Sequence, residues 1–124
     1  MTKLFVIFLG GGLGSMFRYL VSKLINEQFV WGFPLGTFTV NVLGCFFIGL
    51  ILASLEKYES LEAEWGLMLA TGFCGGFTTF STFALENNTL LQQKAYGLFV
   101  AYVLASLILG VVSVFFGFWL IKKI

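Results

Sequence analysis

Four long apolar segments alternate with short charged segments along this chain of 124 residues. The apolar segments cover about residues 4–24, 33–55, 65–88 and 95–121. Each is long enough for a helix that crosses the hydrocarbon core of a bilayer, which takes roughly 20 residues. The pattern therefore predicts an all-α membrane protein, in which one domain covering residues 1–124 contains four transmembrane helices, here named spans one to four.

Span three carries a polar insertion near its centre. The segment from Gly72 to Phe83 contains three glycines, three threonines and a serine, and it carries no charge. Glycine and hydroxyl residues at this density weaken an α-helix. Lipid tolerates a broken helix only where the freed backbone groups are buried in protein or line a polar cavity. The insertion therefore predicts that span three is broken at its centre and that an ion or substrate site lies there.

Composition narrows the class of protein further. Only 10% of the residues are charged, whereas a soluble domain has roughly 25%. The chain contains no His and no Asp, so no nucleophile and base of an enzyme can be identified. A net charge of +1 also argues against nucleic-acid binding. The sequence thus predicts a membrane protein that is not an enzyme.

The distribution of basic residues leaves the orientation of the chain open. Four spans place both termini on one side of the membrane, and the basic residues divide almost evenly between the two sides. The side with the termini holds Lys3, Lys57, Lys122 and Lys123, and the other side holds Arg18, Lys23 and Lys94. A strong excess would determine one orientation. This near-balance either lets the chain insert both ways, which permits an antiparallel homodimer, or hides a small bias.

Span one carries two glycines at a spacing that allows close helix packing, and an arginine one helical turn after them. Gly10 and Gly14 have the GxxxG spacing that lets two helices approach closely. Arg18 follows Gly14 by one helical turn. Its guanidinium group either reaches the membrane interface or faces a polar vestibule or the carbonyl groups of a partner.

Spans two and four each carry polar residues on one face. Thr37 and Asn41 are four residues apart and share a helix face. An asparagine within a membrane is costly unless it bonds a neighbour, a water or a passing ion. Tyr102, Ser106 and Ser113 fall within about 40° of one another around a helix. They form either a polar track or serines that bond back to their own helix.

Two phenylalanines beside the predicted break have an arrangement that suits an anion. Phe80 and Phe83 share one side of a helix, and Thr79 and Thr82 flank them. The positive edges of aromatic rings attract an anion without trapping it as a lysine would, although such a pair is more usually core packing. Hydroxyl and amide donors suit a small, strongly hydrogen-bonding anion. The carbonyl groups freed at residues 75–78 would suit a hard cation such as Na⁺.

Three motifs in order resemble one family. They are GGGLGSMFRY at Gly10–Tyr19, GTFTVNVLGCFFIG at Gly36–Gly49 and TGFCGGFTTFSTF at Thr71–Phe83. The chain resembles the Fluc (CrcB) family of fluoride channels over essentially its whole length. The resemblance implies an antiparallel, dual-topology homodimer with two pores in the bacterial plasma (inner) membrane. It also implies passive and selective F⁻ export that lowers cytoplasmic fluoride.

The resemblance also implies roles for individual residues. The residues expected along the fluoride pathway are Phe80, Phe83, Asn41, Tyr102 and Ser106, with the flanking hydroxyls Thr79 and Thr82. The backbone carbonyl groups of Gly75 and Thr78 from both subunits are expected to hold a structural Na⁺ at the dimer axis. Arg18 matches the arginine of the first motif, and no role for it follows from the sequence.

Two other functions compete with this interpretation. A small multidrug transporter, which is a proton-coupled antiporter, needs a carboxylate deep in span one, and residues 4–24 contain none. Glu86 lies near the end of span three and is either a vestibule acid or a solvated helix end. A membrane assembly subunit without transport activity would explain the glycines and aromatic residues as packing. It would not explain why hydroxyl groups gather beside a broken helix.

Overall fold

All secondary-structure elements are helices in the part of the chain that the structure, a computed structural model, describes. That part comprises residues 2–29, 32–58 and 63–124. Four helical segments in it are long and apolar enough to cross a membrane: Thr2–Gln28, Leu35–Lys57, Ala63–Gln92 and Tyr96–Lys123. The prediction of an all-helical protein with four apolar spans is confirmed. The helices follow from composition, because a backbone in lipid must satisfy its own hydrogen bonds.

Span three consists of two helical halves with a break between them. The first half runs from α-helical Ala63–Gly66 through π-helical Leu67–Cys74 to one α-helical turn, Gly75–Phe77, and the second half is the α-helix Phe80–Gln92. Thr78 and Thr79 between them have extended backbones, with ψ angles of 159° and 118°. The predicted break is therefore confirmed. The π-helical stretch was not predicted, and such stretches often mark functional sites.

Glycines bring span one directly onto the backbone of span three. A Cβ atom at Gly10 would overlap the carbonyl oxygen of Met68, and a Cβ atom at Gly14 would overlap that of Phe73. Both glycines are buried. The close helix approach expected from the GxxxG spacing is confirmed, and its partner is the first half of span three.

Spans two and four form the other closely packed pair. A Cβ atom at Gly49 would overlap the carbonyl oxygen of Val114, and one at Gly117 would come within 2.5 Å of the carbonyl oxygen of Phe46. Gly44, further along span two, accommodates the Thr78 side chain at the break. Span two therefore lies between span four and the broken part of span three, and this position brings the polar residues of three spans together.

Candidate functional site

Asn41 of span two holds the broken backbone through both ends of its side-chain amide. The Thr79 N–H donates to Asn41 Oδ1 at 2.8 Å, and Asn41 Nδ2 donates to the Thr79 carbonyl oxygen at 3.2 Å. The extended backbone of Thr79 prevents these two groups from joining a continuous helix. In lipid, few other hydrogen-bond partners are available to the Thr79 N–H and carbonyl group. Asn41 thus makes the interhelical bonds that let the break exist.

Thr79 also caps the second half of span three. Its Oγ1 atom accepts a hydrogen bond from the Thr82 N–H at 3.2 Å, which is the bonding pattern of a helix N-cap. The same atom lies 3.1 Å from Thr82 Oγ1 and 3.2 Å from Ser81 Oγ. Three hydroxyl groups therefore meet where the second half begins.

The break releases two carbonyl groups. In a continuous α-helix, the carbonyl oxygen of Gly75 would accept from the Thr79 N–H and that of Thr78 from the Thr82 N–H. Here the Thr79 amide donates to Asn41, and the Thr82 amide donates to the Thr79 hydroxyl. Gly75 and Thr78 are the two residues whose carbonyl groups the family resemblance implies as ligands of Na⁺. Their oxygens lack their usual helical donors, and carbonyl oxygens of an unwound helix are the ligand type that Na⁺ takes.

An uncharged groove of about 240 Å³ opens beside the break. It is lined by Asn41, Cys45, Thr78, Thr79, Phe80, Phe83, Ser106 and Leu107. The ring centroids of Phe80 and Phe83 lie 5.8 Å apart. Ser106 Oγ is buried and has no hydrogen-bond partner within the ranges that the structure describes. The groove thus brings together five of the seven residues expected along an anion pathway.

A larger polar cavity of about 370 Å³, here called the vestibule, adjoins the groove at Thr79. It is lined by Ser15, Arg18, Tyr19, Ser22, Lys23, Asn26, Thr37, Thr79, Thr82 and Glu86. Arg18 Nε is buried without a hydrogen-bond partner among residues 2–29, 32–58 and 63–124. This position favours the interpretation that Arg18 faces a vestibule. Two basic side chains and one acidic side chain line the cavity, and one of the basic side chains, Lys23, is paired with Glu27 at 3.9 Å.

Glu86 joins three spans, a role that the sequence analysis left undecided. Its carboxylate accepts hydrogen bonds from Thr37 Oγ1 at 2.6 Å and from the Tyr102 hydroxyl at 2.7 Å. Tyr102 is fully buried, and its ring lies 5.0 Å from that of Phe83. Tyr102 therefore lies behind the groove and not in its lining. Ser113 lines neither the groove nor the vestibule.

One signal in the sequence could have indicated Glu86. It is the one acidic residue between the apolar part of span three and span four, and it follows Phe83 by one helical turn. Its partners Thr37 and Tyr102 both belonged to polar faces recognised from the sequence. What the sequence could not reveal is that these faces turn toward the same carboxylate.

Comparison with known proteins identifies the family. Residues 5–118 match the family model described as "CrcB-like protein, Camphor Resistance (CrcB)". The chain belongs to the CrcB family. The curated proteins similar to this CrcB chain include the fluoride-specific ion channel FluC of Gloeothece citriformis, which is 46% identical over 123 residues, 99% of each chain. The FluC of Phocaeicola vulgatus is 45% identical over 97% of this chain and 98% of the relative. That of Methylobacillus flagellatus is 39% identical, over 98% and 96%.

These similarities confirm the resemblance found in the three motifs. The three relatives carry the name of an ion channel and not of an enzyme. Each comparison covers nearly the full length of both chains, so the similarity includes the vestibule, the groove and the break in the CrcB chain.

Proposed function

We propose that this CrcB-family chain forms a fluoride-selective channel, which lets F⁻ leave the cytoplasm passively and so lowers cytoplasmic fluoride. The observation that carries the proposal is the uncharged groove at the break. There, the rings of Phe80 and Phe83 lie beside the hydroxyl group of Ser106, which has no hydrogen-bond partner among the described residues. The name shared by its relatives, fluoride-specific ion channel, supports the same conclusion.

The chemistry of the groove suits a small anion that must lose its water and still leave. Hydroxyl donors and positive ring edges replace part of the hydration shell. No side chain in the groove lining carries a positive charge that would hold the ion in place. Chloride is larger and accepts weaker hydrogen bonds, so the same donors compensate less of its lost hydration. Several weak contacts, made one after another along the groove, therefore favour the selective passage of F⁻.

The vestibule is the proposed entrance. Arg18 lies in its lining, with an Nε atom that has no hydrogen-bond partner among the described residues, and a positive charge in a cleft raises the local concentration of anions. The route leads from Arg18 to the hydroxyl groups of Thr79 and Thr82 and then into the groove. The negative charge of Glu86 repels an anion. The hydroxyl groups of Thr37 and Tyr102 donate hydrogen bonds to its carboxylate and offset part of this repulsion.

A second copy of the chain would complete the pathway. Phe80 is 79% exposed in the single chain although it lies at the middle of span three. The groove it lines is open on one side, so another subunit packed there would enclose it. We propose a homodimer with one four-helix domain in each subunit and two pores.

The near-even division of basic residues supports antiparallel, dual-topology insertion. Relatives from bacteria support a location in the bacterial inner membrane.

Gly75 and Thr78 are the residues that would hold a structural Na⁺ between the subunits. Their carbonyl oxygens are released by the break, and Gly75 is exposed on the single chain. Each subunit would contribute two such oxygens. When bound, the ion would supply a positive charge beside an otherwise uncharged anion pathway. Asn41 and Thr79 act here as positioning residues, because they bind the amides that would otherwise occupy the two oxygens.

Fluoride efflux from liposomes tests the proposal. The purified chain is reconstituted into liposomes loaded with F⁻, efflux is read with a fluoride electrode, and Cl⁻ efflux is measured in parallel. Rapid F⁻ efflux with no Cl⁻ efflux is expected. Phe80→Ile should slow it, whereas Phe8→Ile, at a side chain of span one that is 72% exposed, should not. Absence of F⁻ efflux from an assembled dimer would favour the assembly subunit without transport activity.

The antiporter alternative gains one feature from the structure, which is the carboxylate of Glu86 bonded between three spans. An antiporter would couple that carboxylate to an imposed pH gradient. Proton-driven uptake of a cationic dye by the same liposomes would therefore contradict the channel proposal, and we expect none.

A further inference from the structure

We propose that the end of the helix bundle at the chain's C-terminus binds an anionic phospholipid. Three ammonium groups, those of Lys57, Lys122 and Lys123, lie at the ends of spans two and four. Lys57 Nζ donates a hydrogen bond to the carbonyl oxygen of Ile121 at 3.1 Å, which joins the two helix ends. A basic cluster at the end of membrane helices attracts anionic lipid headgroups. This inference goes beyond fluoride transport and does not depend on it.

Each of the three ammonium groups lies over an aromatic ring. Lys57 Nζ lies 5.5 Å from the centroid of the Tyr58 ring. Lys122 Nζ lies 5.7 Å from that of Phe118, and Lys123 Nζ lies 4.7 Å from that of Trp119. These are cation–π distances, and aromatic residues at a helix end sit at the level of lipid headgroups. The rings therefore hold the charges where lipid phosphate groups lie.

No protein carboxylate neutralises the cluster in the part of the chain that the structure describes. Glu56 and Glu64 lie at the same end of the bundle and are exposed. Within the described ranges, the one ion pair is Lys23 with Glu27, near the other end. Among the described residues, none of the three ammonium groups forms an ion pair, and Glu59 and Glu62 of the same connector lie outside those residues.

An apolar trough of about 590 Å³ runs from the cluster toward the membrane centre. It is lined by Val111, Val114, Phe115, Phe118, Trp119 and Lys122. The helix from Val111 to Lys122 is about 16 Å long, which is close to half of a hydrocarbon core of about 30 Å. The trough therefore has the depth of one leaflet.

The trough lies on the outer side of span four, and Val114 at its edge contacts Gly49 of span two. Gly117 packs against span two, and Gly110 lies beside the sulfur of Cys45 in span two. The mean direction of the trough residues lies about 120° around the helix from these two glycines, with Val114 the nearest at about 50° and Trp119 the farthest at about 170°. An acyl chain fits such an apolar, outward surface, and the phosphate of the same molecule would meet the ammonium groups above it. Charge complementarity therefore favours an anionic phospholipid over a second copy of the chain or free phosphate.

Fluorescence quenching at Trp119 tests the proposal in the full-length chain. Trp31→Phe and Trp65→Phe leave Trp119 as the remaining one of three tryptophans. This variant is placed in phosphatidylcholine vesicles that contain either phosphatidylglycerol or phosphatidylcholine with brominated acyl chains. Brominated phosphatidylglycerol should quench Trp119 more strongly. Lys122→Gln should lower the relative affinity for phosphatidylglycerol about fivefold, which corresponds to about 1 kcal/mol.

Adding Lys123→Gln should remove most of the remaining preference, whereas Lys94→Gln, at the opposite end of the bundle, should leave it unchanged. Equal quenching by the two brominated lipids would overturn the proposal, and so would the absence of quenching by either, because another protein surface would then cover the trough. Inorganic phosphate is added as a competitor, with sodium chloride of equal ionic strength as the control. If phosphate alone abolishes the preference for phosphatidylglycerol, the site binds a free anion and the proposal is overturned.

Thermal unfolding of the wild-type chain in detergent provides a second measurement that needs no tryptophan variant. Added phosphatidylglycerol should raise the unfolding midpoint more than added phosphatidylcholine does. Equal effects of the two lipids would contradict the proposal independently of the quenching result.

Discussion

Replacing Asn41 with alanine tests whether one side-chain amide holds span three in its broken form. The change deletes the acceptor of the Thr79 N–H at 2.8 Å and the donor to the Thr79 carbonyl oxygen at 3.2 Å. A buried polar group that loses its partner costs about 1–3 kcal/mol. If both groups stay unpaired, the destabilisation is about 2–6 kcal/mol, and if the Thr79 N–H bonds another carbonyl it falls to about 1–3 kcal/mol; either value lowers the unfolding midpoint by an amount on the order of 10 °C.

The same substitution should also weaken the proposed Na⁺ site. Without Asn41, the Thr79 N–H is free to bond the carbonyl oxygen of Gly75 again, and that oxygen is one of the proposed ligands. We expect the increase in unfolding midpoint on replacing N-methylglucamine with Na⁺ to be smaller in Asn41→Ala than in the wild-type chain. Thermal unfolding in detergent, followed by tryptophan fluorescence in the two buffers, measures both effects.

Two further substitutions make the test specific. Asn88→Ala, at an exposed asparagine of the same protein, should leave the midpoint unchanged. Asn41→Asp retains an acceptor for the Thr79 N–H but places a negative charge beside the anion groove, so fluoride efflux should fall. An Asn41→Ala protein with wild-type stability and wild-type fluoride efflux would refute the account of the break.

Three other substitutions address the groove and the helix packing. Phe80→Ile should lower fluoride efflux from liposomes at least about tenfold with dimer assembly intact by size-exclusion chromatography, and wild-type efflux would contradict the ring-edge role. Ser106→Ala should lower efflux about tenfold with little change in the unfolding midpoint, because the hydroxyl group has no hydrogen-bond partner in the part of the chain that the structure describes; a large loss of stability would contradict this. Gly14→Ala should lower the free energy of unfolding by about 1–3 kcal/mol, because its Cβ atom would overlap the Phe73 carbonyl. Gly12→Ala, with open space around it, is the control and should leave the free energy of unfolding unchanged.

The four spans and the break followed from local properties of the chain. A run of apolar residues without charges has few structures available in lipid other than a helix, so its length is enough to predict a span. The density of glycine and threonine at residues 72–83 was likewise a local signal, and the break occurs at Thr78 and Thr79 within it. The π-helical stretch Leu67–Cys74 had no signal of its own, since most of its residues are ordinary apolar ones and its end overlaps the glycine-rich insertion that predicts only a break.

The partners of the polar residues could not be predicted in this way. Asn41 bonds a residue 38 positions away, and Glu86 bonds partners that are 49 and 16 positions away. Which side chains meet depends on how far each helix is rotated about its axis and on how closely the glycines let the backbones approach. A sequence without its packing shows that Tyr102 carries a hydroxyl group but not that this group bonds Glu86 behind the groove.

The sequence by itself therefore determined the class of protein, the number of spans, the place of the break and the family. Only the tertiary structure decided that Asn41 and Thr79 release two carbonyl groups, that Glu86 joins three spans and that the groove is open on one side. The physical reason is that burial in lipid acts on each helix separately, whereas hydrogen bonds between helices need the position and rotation of all of them at once.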